Sequence, residues 1–260
     1  MKLSFKPVWF DSLGAKSSCV LVETPDVKII IDPGVAAMQP SFPATPEEKE
    51  TWKREGEEAI KKVLKEANLV VISHYHYDHF LRGDPEIYRE KTLFVKNPNE
   101  YINLSQRKRA LEFFREIVKC FAGKELEYFF SKNDKKNYPD PLKVLPLATS
   151  RDFGDYRERK RELLLKGKRW FDRLKRAWCE WPQIPELDLN GVEVLFPEGK
   201  EFTFGDTRVR FTEPLFHGIE FSRVGWVGLG YTSSSLSAPH NDYPGSFQSP
   251  GNHWSCVKQT

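Results

Sequence analysis

Cysteine is sparse in this chain and poorly placed for chemistry. Cys19, Cys120, Cys179 and Cys256 stand far apart and form no CxxC pair, which argues against a thiolate zinc site or a thioredoxin-like redox motif and leaves buried free thiols as the expectation. Long hydrophobic runs are also missing. Nowhere is there a stretch of about 18 apolar residues that could span a bilayer, and the start, MKLSFKPVWFDSLG, lacks the apolar segment of a signal peptide. A cytoplasmic location without a membrane partner is therefore expected. Charge of one sign is not in excess either: 40 Lys and Arg against 37 Asp and Glu leave a formal +3. The average field thus gives no reason to expect nucleic acid, and any such preference must come from a local patch. With 260 residues, 39% of them hydrophobic, there is enough material for one large α/β domain or two small ones around a real core.

The apolar residues are patterned. Ser18 to Thr24 and Val27 to Ile31 are β-branched runs joined by Pro25-Asp26, as in a hairpin, and the second run stops at Asp32-Pro33-Gly34. Thr45-Pro46-Glu47-Glu48 supplies an N-cap, a first-turn proline and a capping-box glutamate in the right order for a helix start. Ala59, Ile60, Val63, Leu64 and Ala67 would line one face of that helix. Leu69-Val70-Val71-Ile72 then reads as a strand covered on both sides.

From Leu81 to about Gln183 the pattern changes to charged helices with short strands, of which Leu93-Phe94-Val95 is the clearest. Ser105 is a plausible cap for a helix through Phe113 and Val118, and a longer helix is expected from near Tyr156 to Trp181. That helix carries an apolar stripe including Leu163, Phe171, Leu174 and Trp178 and is otherwise crowded with Arg and Lys. It reads as an amphipathic cover with a solvated basic face, or as a wall that holds an anionic substrate. Val192 to Phe196, Glu201 to Phe204 and Val209 to Thr212 are expected to form a second sheet leading to Glu213-Pro214-Leu215-Phe216-His217.

The chemistry concentrates in one place. His74 and His76 stand two apart at the mouth of the buried strand, and in extended backbone alternate side chains point the same way, so both imidazoles can reach one ion. Asp78 and His79 add a carboxylate and a third imidazole. Three histidines and an aspartate within six positions, in a chain with only six histidines, are hard to explain as packing. Neutral imidazole and carboxylate donors suit a divalent metal, zinc first, with iron or manganese as alternatives.

The run His74-Tyr75-His76-Tyr77-Asp78-His79 resembles the HxHxDH signature of the metallo-β-lactamase superfamily. Asp32, after Ile29-Ile30-Ile31, resembles that family's upstream structural aspartate, and His217 resembles its next ligand. The order of elements is most similar to an uncharacterised archaeal branch of metal-dependent hydrolases, over roughly Phe10 to Val227. The resemblance implies an α/β fold, the αββα sandwich, here with a charged helical insertion at about 81–190 in a domain spanning 1–227. It implies that His74, His76 and His217 hold a first metal and that Asp78 and His79 hold a second or orient the attacking water. Asp32 would bond loop backbone and the ligand histidines. In such a site a bound divalent ion lowers the pKa of its water to about 7, and Asp78 is the candidate catalytic group that orients the hydroxide and passes on its proton.

The family pattern next requires a bridging aspartate and a late histidine, and neither appears in a suitable context. Asp242 and His253 are formal replacements, but each lacks a preceding strand. After Val227 the chain turns to Ser, Gly, Pro and Asn, so 228–260 is expected to be an irregular tail and the C-terminal half incomplete. A displaced reading frame or truncation near Gly228 would produce such a change. The leading functional reading is a metal-dependent hydrolase acting on a small-molecule substrate, with a phosphodiester or other phosphate-containing one slightly favoured and a thioester or lactone open. The alternatives are a nucleic-acid-binding protein with a structural metal, its basic helix forming the contact, and a degenerate family member without turnover.

Overall fold

The computed structural model describes residues 3–133, 136–143, 149–152 and 154–213, and beyond them only the backbone of three short strands. The first layer is a mixed seven-stranded sheet. Its strands in chain order are β1 (Ser4–Phe10), β2 (Ser18–Glu23), β3 (Lys28–Ile31), β4 (Leu69–Ile72), β5 (Lys91–Val95), β6 (Leu187–Leu189) and β7 (Val192–Leu195). Their spatial order is β1-β2-β3-β4-β5-β7-β6. The central pairs β3·β4, β4·β5 and β5·β7 are parallel and the outer pairs antiparallel. Parallel pairing brings the C-terminal ends of β3, β4 and β5 to one edge, where ligands of open α/β sheets bind.

Period-two alternation sorts the strand residues between two cores. Ile30, Val70, Ile72, Leu93 and Val95 face α1 (Pro46–Leu64) and α2 (Leu104–Ala122), meeting Ile60, Leu64, Phe113, Phe114 and Val118. Their neighbours Ile29, Ile31, Leu69, Val71 and Phe94 point the other way. There they meet Phe202, Phe204, Val209 and Phe211 from β8 (Glu201–Phe204) and β9 (Thr207–Phe211). These strands belong to a second sheet of order β12-β9-β8, with β12 at Leu229–Ser233; β10 (Leu215–Phe216) and β11 (Val224–Trp226) pair separately. Helices, sheet and sheet thus form the consecutive layers of the metallo-β-lactamase-like sandwich.

The local expectations hold where chain chemistry alone decides. Thr45 and Glu48 make the capping box in both directions, β2 and β3 form the hairpin around Pro25-Asp26, and the basic helix, here α3, runs Arg157–Glu180. Other expectations change. Asn103, not Ser105, caps α2, accepting from the amide of Gln106 at 2.9 Å. Val192–Leu195 joins the first sheet beside β5 rather than the second, because its alternation specifies a buried face but not which sheet supplies it. The range 81–190 is not all insertion: β5 lies inside the main sheet and α2 against it. The excursion proper is pinched at its base by paired backbone bonds between Ser131 and Gln183, at 3.0 and 3.1 Å. The irregular stretch expected from Gly228 begins instead with β12, which is in register with β9 from Leu229↔Phe211 to Ser233↔Thr207. Residues 234–260, with Asp242 and His253, lie outside the described residues.

α3 behaves as a cover helix. Phe171, Leu174 and Trp178 are buried in a small aromatic core with Tyr101 and Tyr138, and Trp178 Nε1 donates to the Ile102 carbonyl at 2.8 Å. The helix is thereby anchored to the loop leaving β5.

Phe94 joins the two sheets, with ring centroids 4.5 Å from Phe202 and 5.1 Å from Phe211. Phe94→Ala should cost about 3–5 kcal/mol in urea unfolding; a loss below about 1 kcal/mol would show that the sheets do not depend on this contact.

Candidate metal centre

The site begins with a backbone irregularity. Where β3 ends, Asp32 sits at φ +49, a left-handed conformation that costs an ordinary residue roughly 1–2 kcal/mol and that Asp tolerates better than most. Its amide donates to the Val71 carbonyl at 2.8 Å, so the turn is tied to β4, and its buried carboxylate is aimed across the end of that strand. One oxygen accepts from the Ser73 amide and the other from the Ser73 hydroxyl, both at 2.8 Å. The second oxygen also meets His79 Nδ1 at 3.0 Å.

These bonds fix the histidine tautomers. The Ser73 hydroxyl donates to Asp32, so toward His74 Nδ1, 3.1 Å away, it acts as acceptor, which places the ring hydrogen of His74 on Nδ1. His79 likewise donates from Nδ1 to Asp32 and presents Nε2. A partner on the far ring nitrogen that orients the ring and raises donor basicity is the usual support of a metal-binding imidazole. Burial opposes the charged form of His79, but the Asp32 carboxylate, through its charge and its hydrogen bond, outweighs it and leaves the pKa above the ordinary histidine value.

The presented donors form two pairs. His74 Nε2 and His76 Nδ1 are 3.0 Å apart, and His79 Nε2 and Asp78 Oδ2 are 3.6 Å apart. Two atoms each about 2.1 Å from one tetrahedral ion would be separated by about 3.4 Å, so both spacings suit shared ligation. The His74 and His79 rings are 3.8 Å apart at their centroids, which makes the pairs neighbours. His74 and His79 are buried, while His76 and Asp78 are half-exposed and open the site to solvent.

Asp32, His74, His76, Asp78 and His79 thus lie together at one sheet edge. His217 lies outside the described residues, and among those residues no group of three donors is arranged around one ion. The residue that sequence reasoning passed over is Ser73, the hub of the network. Gly34 was also missed: a Cβ there would stand 2.1 Å from the Phe80 amide nitrogen and 2.4 Å from that of His79, so only glycine lets the two loops touch. Behind the motif, Tyr75 is fully buried and donates to the Lys96 carbonyl, and burial holds its phenol well above the usual range, so it stays a neutral donor. Lys96, also fully buried, pairs with Glu198 at 2.9 Å, and Glu198 accepts from the Asn97 amide. The edge is thus clamped to the loop that follows β7.

The family model of the metallo-beta-lactamase superfamily matches residues 14–219, which include every residue from Asp32 to His217. The chain belongs to the metallo-beta-lactamase superfamily. Its curated relatives are archaeal proteins named UPF0282. One from Methanopyrus kandleri is 29% identical over 95% of this chain and 66% of its own length. One from Methanocaldococcus jannaschii is 39% identical over 50% of this chain and 48% of its own length, and one from Metallosphaera sedula is 42% identical over 44% and 39%. The chain thus spans less than two thirds of the length of these relatives. No solved structure matches it. No helix among the described residues is long and apolar enough to cross a membrane.

Gly34→Ala must push backbone against backbone, so it should cost about 1–3 kcal/mol of stability and lower the metal bound per chain. Urea unfolding together with metal analysis checks this, and an unaltered protein by both measures would refute the close approach.

Proposed function

We propose that this chain is a metal-dependent hydrolase whose favoured substrate contains a phosphate ester. The observation that carries the reading is the pairing of His74 Nε2 with His76 Nδ1 and of His79 Nε2 with Asp78 Oδ2, at 3.0 and 3.6 Å, with Asp32 and Ser73 behind the two buried rings. The residues fit a divalent ion: every presented donor is imidazole nitrogen or carboxylate oxygen, a set suited to zinc, with iron or manganese as alternatives. His74, His76 and His217 would hold one ion, and Asp78 and His79 a second or the attacking water. A bound ion would activate water at neutral pH and polarise the bond to be cleaved.

The chain's own contribution is positioning and proton handling. Asp32 and Ser73 keep the rings of His74 and His79 in the tautomers that present Nε2. Asp78, on the open side, accepts a proton at its carboxylate during attack and returns it to the leaving group, work that needs only hydrogen-bond reach. An anionic substrate is supported by Arg82, an exposed cation stacked 3.6 Å over the ring of Tyr77 on the motif's own loop. It can offset phosphate charge without neutralising a ligand.

Asp78→Asn should lower hydrolysis of a chromogenic phosphodiester about 100-fold to 10,000-fold while metal stays on the imidazoles, whereas His76→Ala should lose metal and activity together. Near-parent turnover by Asp78→Asn would remove Asp78 from the mechanism. A parent protein that binds metal but hydrolyses neither phosphodiester, thioester nor lactone would overturn the hydrolase reading.

A further inference from the structure

We propose that the exposed face of α3, with the cavity at its C-terminal end, binds the phosphodiester backbone of a single-stranded nucleic acid. This surface does not depend on the metal centre for its chemistry. At 100° per residue, Lys166, Arg169, Arg173 and Arg176 fall within about 80° of arc and extend for about 15 Å along the helix. All four are exposed. Several other cations of α3 are paired: Arg157 meets Asp152 at 3.7 Å and Arg159 meets Glu162 at 3.2 Å, while Lys168 and Lys175 share Asp172 at 3.5 and 3.0 Å. None of the four stripe cations has a carboxylate within ion-pair reach among the described residues. The acidic residues on the same arc lie toward its two ends, Glu158 and the already paired Glu162 at one and Glu180 at the other. A continuous row of uncompensated cations repels itself, and a row of anions at comparable spacing relieves that repulsion.

The chemistry of the row favours a polynucleotide. Three of the four residues are arginines, whose planar guanidinium matches two phosphate oxygens at once. A lipid surface is disfavoured because the apolar side of α3, through Phe171, Leu174 and Trp178, is sealed in the protein and has nothing to insert into acyl chains. The row ends in a cavity of about 280 Å³ lined by Lys136, Tyr138, Lys175, Arg176, Cys179 and Glu180, with Asn137. Tyr138 is half-buried and braced edge-on by Tyr101 and Trp178. A cationic track leading to a braced aromatic ring is the arrangement by which single strands are held, phosphates on the cations and an unstacked base against the ring.

The test is fluorescence anisotropy of a labelled 12-nucleotide oligouridylate with the full chain between 50 and 200 mM salt. Three to four phosphate contacts predict a slope of log affinity against log salt of about −2 to −3. Arg169→Gln with Arg173→Gln and Arg176→Gln should weaken binding at least tenfold and flatten the slope by about 2, with circular dichroism, melting temperature and bound metal per chain unchanged. Tyr138→Leu should weaken binding severalfold at every salt concentration and leave the slope alone. The proposal fails if the parent does not bind at 50 mM salt, if the triple variant binds within twofold of the parent, or if a duplex or an oligoglutamate of equal charge binds as tightly as the oligouridylate. Unchanged metal in the triple variant keeps this failure distinct from failure of the hydrolase reading.

Discussion

A single carboxylate organises the working edge of this protein. Asp32 accepts from the Ser73 amide, the Ser73 hydroxyl and His79 Nδ1, so the ends of two parallel strands and the turn beyond them are held by one buried group. Without it the Ser73 hydroxyl would be free to reorient, His74 would lose its enforced tautomer, and the buried His79 ring would have no anion to set against its desolvation. The left-handed backbone of Asp32 follows from the same requirement, since the strand must turn sharply for the carboxylate to reach across β4. Charge-assisted hydrogen bonds to a buried carboxylate are strong enough to hold such strain.

This edge was legible in the sequence to the extent that its parts are contiguous. His74, His76, Asp78 and His79 stand in one short run after an apolar strand, so residue type and spacing were sufficient to foresee their meeting. Asp32 could be placed only by resemblance, because an aspartate after a strand is otherwise an ordinary turn residue. Ser73 and Gly34 left no readable trace: the importance of one lies in the direction of a hydroxyl, and that of the other in the absence of a methyl group beside a distant loop.

The fold shows the same division. Capping and helix periodicity are local properties, and α1 and α3 fall where Thr45, Glu48 and the Trp178 stripe place them. Strand partnership is not local, which is why β7 was expected in the wrong sheet. β1 escaped notice because Pro7 interrupts its pattern, yet proline is tolerated on an edge strand, and the pairing with β2 shifts register beside it. The hairpin of β6 and β7 had a clear signal in Asn190-Gly191, where Gly191 takes φ +92 as the tight turn requires.

The neck between Ser131 and Gln183 bears on how the chain reaches this structure. β5 and β7 are parallel neighbours separated by about 100 residues, Lys91 opposite Val192, and such distant pairings are slow because closure entropy is lost before any contact forms. If the excursion assembles early around Trp178 and stitches its own base, the chain that remains to be closed is roughly halved, which lowers the entropic cost by about 0.6 kcal/mol. The small aromatic core beneath α3 then acts as a kinetic shortcut, bringing together two strands that would otherwise have to find each other across more than a third of the chain.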